Sequence, residues 1–384
     1  MWEIDTELTT RYLQEMVKID SVNPGLVEGA KGEADMAAWL VDICRELGLT
    51  IELQETAPSR PNVIARWKGT GEGKSLLLTG HMDVVSGENM TRDPFEARIE
   101  NGLMYGRGTQ DMKGGLASIL GAVTALKTGG FTPKGDIILG FVTDEEYLSI
   151  GTDALVNVVK ADGAILTEPT GCQICIAHKG FLWLTLITYG KAAHGSLYSE
   201  GVDAVAQMGY LLRELDTFNA NARVTHPLLE RASAHASFIN GGIGLSTYPD
   251  QCKLQIEHRM LPDDTPESVI SYWENAIERL SQEVPNFSAT VKNDFHRPGY
   301  EIDKNATIVQ TMVAASRSVL GDKTGYSGMF GWLDSAILGS AGIPTIIIGP
   351  GGDGMHGAVE YVILDDVMKV AAVIAETAAA WTGG

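Results

Sequence analysis

The sequence predicts an α/β fold, doubly wound around a mostly parallel sheet, with a smaller α+β unit inserted into it. Three observations carry this. Apolar, strand-like runs alternate with stretches of helical spacing up to about Phe181 and again after about His296. Between them the strict alternation gives way to three strands and two helices of a separate α+β unit. A chain of 384 residues also exceeds what one core ordinarily serves. The expected division is a discontinuous domain of residues 1–178 and 296–384 around an insert of residues 179–295.

The elements follow in order. Residues 32–47 place Met36, Leu40, Val41, Ile43 and Leu47 on one helical face and stop at Gly48, a natural residue for the position just past a helix. Residues 62–67 and 75–79 read as strands joined by a hairpin turn. The linker ends in Gly73-Lys74-Ser75 but is not a phosphate-binding loop, because Lys68 stands where the first glycine belongs and a strand follows where a helix is required. Helices are expected over 112–126 and 154–159. In the insert the pattern predicts strands at 182–188, 234–239 and 253–258 and helices at 202–215 and 265–282, the last opened by Thr265-Pro266-Glu267. A helix at 306–319, a strand at 344–348 and a helix at 364–381 close the chain.

Charge and targeting signals narrow the function. With 29 Lys and Arg against 49 Asp and Glu the formal charge is -20, which repels nucleic acid and anionic membranes. No apolar run approaches the ~20 residues of a membrane helix and no basic and apolar leader is seen, so a cytoplasmic location is expected. The Cys172/Cys175 pair lies in an alternating run without a second pair and reads as buried strand.

Four apolar runs end in residues able to bind a metal: 76–79 into His81 and Asp83, 137–143 into Asp144, Glu145 and Glu146, 164–167 into Glu168, and 345–348 into a glycine turn and His356. In an open parallel sheet the carboxyl ends of the strands converge, so these residues would meet at one edge. His81 and Asp83 are two apart on an extended chain and face the same way, so Asp83 can accept the second imidazole N–H while His81 binds metal. Asp111, in a glycine-rich turn before a helix, is either a helix cap or a carboxylate bridging two ions. Glu145 and Glu146 point apart, so one can bind metal while the other moves a proton.

Gly80-His81-Met82-Asp83, the run from Gly106-Arg107-Gly108 through Asp111-Met112-Lys113-Gly114, Asp144-Glu145-Glu146, Glu168-Pro169 and the late His356 resemble the acetylornithine deacetylase, succinyl-diaminopimelate desuccinylase and aminoacylase family of dinuclear zinc metallopeptidases. The resemblance spans almost the whole chain. It implies one zinc held by His81 and Glu168, a second by Glu146 and His356, bridging by Asp111 and a water or hydroxide, and Glu145 as general base; cobalt or manganese could replace zinc. It makes the insert a lid that also forms a homodimer. His194, in Gly190-Lys191-Ala192-Ala193-His194-Gly195-Ser196, resembles the histidine that reaches the partner's active site, while Asn240 and Arg259 resemble substrate-holding positions. A guanidinium can grip both oxygens of a carboxylate. Met329, Phe330 and Trp332 fall where family members shape the side-chain pocket. The family often carries His-Thr-Pro-Asp-Glu at its last ligand; here the run is Met355-His356-Gly357-Ala358-Val359-Glu360, which keeps the spacing of His356 and Glu360.

The resulting expectation is a metal-dependent amidohydrolase cleaving an N-acyl amino acid, deacetylase-like or desuccinylase-like; the alternative is a dipeptidase or glutamate-carboxypeptidase-like metallopeptidase. A non-catalytic metal-binding protein on this scaffold would have lost the base or the bridge, and both Asp111 and Glu145 are present.

Overall fold

The computed structural model describes residues 1–321 and 324–383. The chain divides into two compact units: Met1–Ile176, Ile302–Ser327 and Leu333–Gly384 form one, and Ala177–Glu301 with Gly328–Trp332 the other.

The first unit has the expected α/β layers, and its sheet is mixed. Strands Ile137–Val142, Leu76–His81, Gly163–Leu166 and Thr345–Ile347 pair in parallel in that order. Arg60–Trp67 adds antiparallel beside Ile137–Val142 and Thr50–Ala57 beside Arg60–Trp67, while Ile174–His178 runs antiparallel to Thr345–Ile347. The strands of residues 76–81 and 137–142 are buried along their whole length, which is why they read as continuous apolar runs without alternation. Helix Gly114–Thr128 is buried from Gly114 to Leu126 and packs against helices Thr6–Lys18 and Leu364–Thr382. Gly115 lets the start of this helix lie close to the end of strand Gly163–Leu166, since a Cβ there would lie 2.1 Å from the Thr167 carbonyl oxygen.

One sequence expectation fails. Strands Arg60–Trp67 and Leu76–His81 do not form a hairpin, because Ile137–Val142 lies between them. The linker instead runs along residues 133–136, with Thr70 and Gly71 donating to the carbonyls of Pro133 and Lys134. A glycine-rich turn marks a change of direction and carries no information on which strand comes to lie alongside.

A second, small sheet orders Gly352–Asp353, Tyr361–Ile363, Leu103–Tyr105 and Arg98–Glu100, all antiparallel. Tyr361 pairs with Tyr105, which brings Glu360 to Gly106 and so joins two turns distant in sequence.

The second unit is a four-stranded antiparallel sheet in the order Ser233–Gly241, Gln251–Met260, Gly180–Tyr189, Ala289–Arg297. Helices Ala204–Asn221 and Pro266–Glu283 cover one face, over a core containing Leu182, Leu184, Leu186, Leu211, Leu254, Ile256 and Trp273. Thr265 caps the second helix, its hydroxyl accepting from the Ser268 N–H at 3.2 Å as Thr265-Pro266 foretold. All four cysteines are free and buried.

Candidate metal centre

The parallel strands deliver the expected side chains to one edge of the first unit. His81 closes the Leu76–His81 strand, fully buried. Its Nδ1 lies 2.9 Å from the Asp83 main-chain oxygen and 3.6 Å from the Asp83 carboxylate, so the proton on Nδ1 goes to the carbonyl and Nε2 is left facing the site. The carboxylate of Asp83 has other work than the orienting bond expected of it. It accepts from Asn23 Nδ2 at 2.7 Å and from the main-chain N–H groups of Glu145 and Glu146, each at 3.2 Å. Asp83 therefore fixes His81 through its backbone and both glutamates through its side chain.

The turn that separates the two glutamates starts at Asp144, whose φ is 70°. A left-handed aspartate is held there by Arg60 at 2.8 Å and Asn23 at 3.1 Å, while Glu33 accepts its N–H at 3.2 Å and binds Arg60 at 2.6 Å. Asn23, Glu33 and Arg60 form a buried network beneath the site that sequence reasoning missed. Asn23-Pro24 and Arg60-Pro61 resemble ordinary loop punctuation, and nothing local marks their long-range partners.

Asp111 occupies a non-helical turn within residues 109–113. Gly108 adopts φ +80°, where a side chain is strained, and its Cβ would lie 2.6 Å from Val84. Asp111 and the following helix are tied to His356 through Glu360. The Glu360 carboxylate accepts from Arg107 Nη1 at 2.7 Å, Gly108 N at 3.1 Å, Gln110 N at 3.0 Å and Asp111 N at 3.2 Å. Arg107 also donates to the Gly357 carbonyl at 3.1 Å, beside His356. The spacing of His356 and Glu360 noted in the sequence thus joins a candidate ligand to the anchor of its neighbour.

The ligand atoms converge. Asp111 Oδ1 lies 3.1 Å from His81 Nε2, and Asp111 Oδ2 lies 3.4 Å from His356 Nε2. Glu168 Oε1 stands 3.8 Å from His81, and Glu146 Oε2 stands 3.0 Å from His356. Two triads result, His81/Asp111/Glu168 and Asp111/Glu146/His356, each with its ligand atoms within 4.8 Å of one another. Glu145 belongs to neither, its Oε2 being 3.9 Å from His81.

Electrostatics fit a pair of divalent cations. Burial lifts Glu145 and Glu168 well above the carboxylate range, and burial with the charge of Asp111 pushes Glu146 up to about 7. Burial opposes a charge on His81, but the Asp111 hydrogen bond and the carboxylates of Glu168, Glu145 and Asp83 outweigh it and hold its pKa well above the usual value. Crowded acids around two imidazoles lack positive charge. Glu168 Oε1 is buried with no hydrogen-bond partner among the described residues. Mixed nitrogen and oxygen donors suit zinc, cobalt or manganese. Asp334, fully buried and bonded by the Thr152 hydroxyl at 2.5 Å, is a further acid that the sequence did not single out; burial pushes it up to about 6.

The second unit holds the other sequence-predicted residues. His194 is exposed, its Nδ1 2.8 Å from the Ser196 hydroxyl. Asn240 is exposed on the edge strand opposite Lys253. Arg259 binds Glu257 at 2.6 Å and stacks over Phe181. Trp332 donates to the Pro298 carbonyl at 3.1 Å, Phe330 lies exposed under the Lys179 ammonium, and Met329 is half-buried.

Two imidazole and carboxylate triads joined by one aspartate, at the carboxyl ends of parallel strands, define a class: the two-metal hydrolases. The pattern of peptidase family M20/M25/M40 matches residues 77–380, and the chain belongs to that family. It is similar to a probable succinyl-diaminopimelate desuccinylase of Staphylococcus aureus, 29% identical over 400 residues covering 94% of each chain. An N-formyl-4-amino-5-aminomethyl-2-methylpyrimidine deformylase of Halalkalibacterium halodurans is 28% identical over 356 residues, covering 84% of this chain and 83% of its own. In fold the chain resembles the aminopeptidase PepT of Bacillus cereus, with a TM-score of 0.82 at 20% identity over 97% of this chain and 98% of that one. A Staphylococcus aureus tripeptidase has a TM-score of 0.79 at 22% identity over the same shares. Among the described residues no helix is long and apolar enough to cross a membrane.

Proposed function

We propose that the chain hydrolyses the amide bond of an N-acyl amino acid, as a deacetylase or desuccinylase does, with a zinc ion in each triad or cobalt or manganese in its place. The carrying observation is the division of the Asp111 carboxylate between His81 and His356, with Glu145 half-buried 3.9 Å from His81 and outside both triads. The names of the desuccinylase and deformylase relatives support removal of an acyl group from nitrogen. His81 and Glu168 would hold one ion, Glu146 and His356 the other, and Asp111 both. When bound, the pair would polarise the acyl carbonyl and bring the pKa of a water down to about 7.

Glu145 is the proton carrier in this reading. It takes a proton as the water oxygen bonds to the acyl carbon, and gives it to the nitrogen as the carbon–nitrogen bond breaks, so a carboxylate and an amine leave. Asp83 keeps Glu145 on station through its main-chain N–H. The second unit supplies the remaining roles: Arg259 for the substrate carboxylate, Asn240 for its backbone, and His194, from a second copy of the chain, for the oxyanion. A homodimer is supported by the open edge strand Ser233–Gly241, which exposes Phe238 by 71% and Ile239 by 56%. Four free, buried cysteines and the acidic surface fit a cytoplasmic protein.

The test is amine release from N-acetyl, N-succinyl and N-formyl amino acids set beside dipeptides. Glu145→Ala should abolish turnover with metal content nearly intact; unchanged turnover would refute the assignment. Preference for dipeptides would favour the peptidase reading, which uses the same site.

A further inference from the structure

On the helix-covered side of the second unit, a cleft of about 410 Å³ opens where the end of helix Ala204–Asn221, the start of helix Pro266–Glu283 and the end of strand Gln251–Met260 meet. Its walls include Phe218, Ala222, Ala232, Met260, Val269 and Tyr272. Phe218 stands edge to face with Tyr272, 5.2 Å away at 71°, and with His258, 4.8 Å away at 78°. Rings favour that arrangement, so a further ring entering the cleft can extend it. Alternation along the strand separates this cleft from the carboxylate-holding side of the sheet. Met260 faces the helices with Leu254 and Ile256, and His258 with them, whereas Arg259 turns its guanidinium to the open face, onto Glu257 and Phe181.

His258 is the buried polar group in the cleft wall, 1% exposed. Its Nε2 accepts from the Trp273 indole at 2.8 Å, so the one proton of the neutral ring is on Nδ1. That N–H has no oxygen or nitrogen partner among the described residues. Burial pushes the pKa of the ring down to about 4, and no acceptor counters it. The other polar groups at the cleft are engaged or in solvent. Asp264 accepts the Leu261 N–H at 2.7 Å, the Ser268 hydroxyl donates to the Thr265 carbonyl at 2.7 Å, and Arg223 and Thr225 are exposed.

A single unpaired donor within apolar and aromatic walls selects one acceptor on an otherwise apolar body. We propose that this cleft binds a neutral aromatic molecule bearing one hydrogen-bond acceptor, a carbonyl or a ring nitrogen, which takes the His258 Nδ1–H while its ring packs against Phe218 and Tyr272. A neutral imidazole cannot balance a buried anion, which sets the ligand apart from a carboxylate. The site does not depend on the amide-hydrolase reading, because no metal ligand lines it.

Acetophenone and cumene test this, since they have nearly the same shape and only the first carries an acceptor. In ligand-observed NMR titrations of the zinc-loaded protein, acetophenone should bind and cumene should bind about tenfold more weakly, because cumene strands the Nδ1–H. His258→Phe should bind the two alike. Ala222→Trp, which fills the cleft from a half-buried position just past the helix end and leaves His258 in place, should lose acetophenone. Wild type that binds neither compound, or both equally, overturns the proposal, and that comparison stands even if a variant does not fold. A folded Ala222→Trp that binds acetophenone as wild type does puts the ligand elsewhere and overturns it too, as does a folded His258→Phe that keeps the preference. Benzoate binding more tightly than acetophenone would make the cleft an anion site and refute the ligand class.

Discussion

Glu360→Gln isolates the anchor that links the two halves of the metal centre. In the native carboxylate Oε2 takes the Arg107 guanidinium and the Gly108 N–H, and Oε1 takes the N–H groups of Gln110 and Asp111. Glutamine keeps the shape and loses the charge. Whichever way its amide turns, the NH2 end confronts two donors, and Arg107, 1% exposed, loses its counter-charge. Breaking a buried ion pair by removing one partner costs about 3–5 kcal/mol, and the stranded N–H groups fall within that figure because the same rearrangement relieves both. Stabilities of folded domains run to about 5–15 kcal/mol, so the variant should remain folded but be visibly weakened. Urea unfolding at neutral pH reads this directly as a lower midpoint for the first transition. With the amide turned so that its oxygen keeps the Arg107 guanidinium, the Asp111 N–H is an orphan and metal affinity should fall as well. A loss of less than about 1 kcal/mol with full metal content would refute the view that Glu360 holds the Asp111 turn in place.

Other predictions follow from the same geometry. Asp83→Asn leaves the main-chain oxygen that fixes His81 but weakens the acceptor for Glu145 and Glu146, so metal titration should show the His356 site weakened about 10–100-fold and the His81 site little changed. In the second unit, His258 accepts from the Trp273 indole at 2.8 Å, and burial pushes its pKa down to about 4. Above about pH 6.5 the histidine is neutral folded or unfolded; as pH falls toward 4 only the unfolded chain takes the proton, so stability drops, by about 2 kcal/mol at pH 5. His258→Gln should be spared that part of the acid-induced loss in denaturant titrations at pH 7 and pH 5.

The candidate metal ligands were legible because buried parallel strands are written as plain apolar runs, and such runs end at a common edge. His81, Glu168 and the 144–146 turn could be placed from that rule alone. Asp83 was legible as a partner of His81, but not which of its oxygens would serve, since both the carbonyl and the carboxylate lie within reach of an imidazole two residues away. The network of Asn23, Glu33 and Arg60 was not legible: its members sit in a loop, at a helix start and at the first residue of a strand, and only tertiary packing brings them under Asp144. The order of the sheet was equally hidden. The linker at residues 68–75 has the composition of a hairpin, yet pairing is decided by which buried faces fit, and Ile137–Val142 fits between its two strands.

The central claim is that two metal sites share Asp111, and bound metal per chain measured by mass spectrometry after zinc loading tests it most directly. Wild type should hold two equivalents, and Glu168→Ala and Glu146→Ala should each hold about one. A wild-type protein with a single equivalent, or a Glu168→Ala variant that loses both ions or neither, would contradict the account.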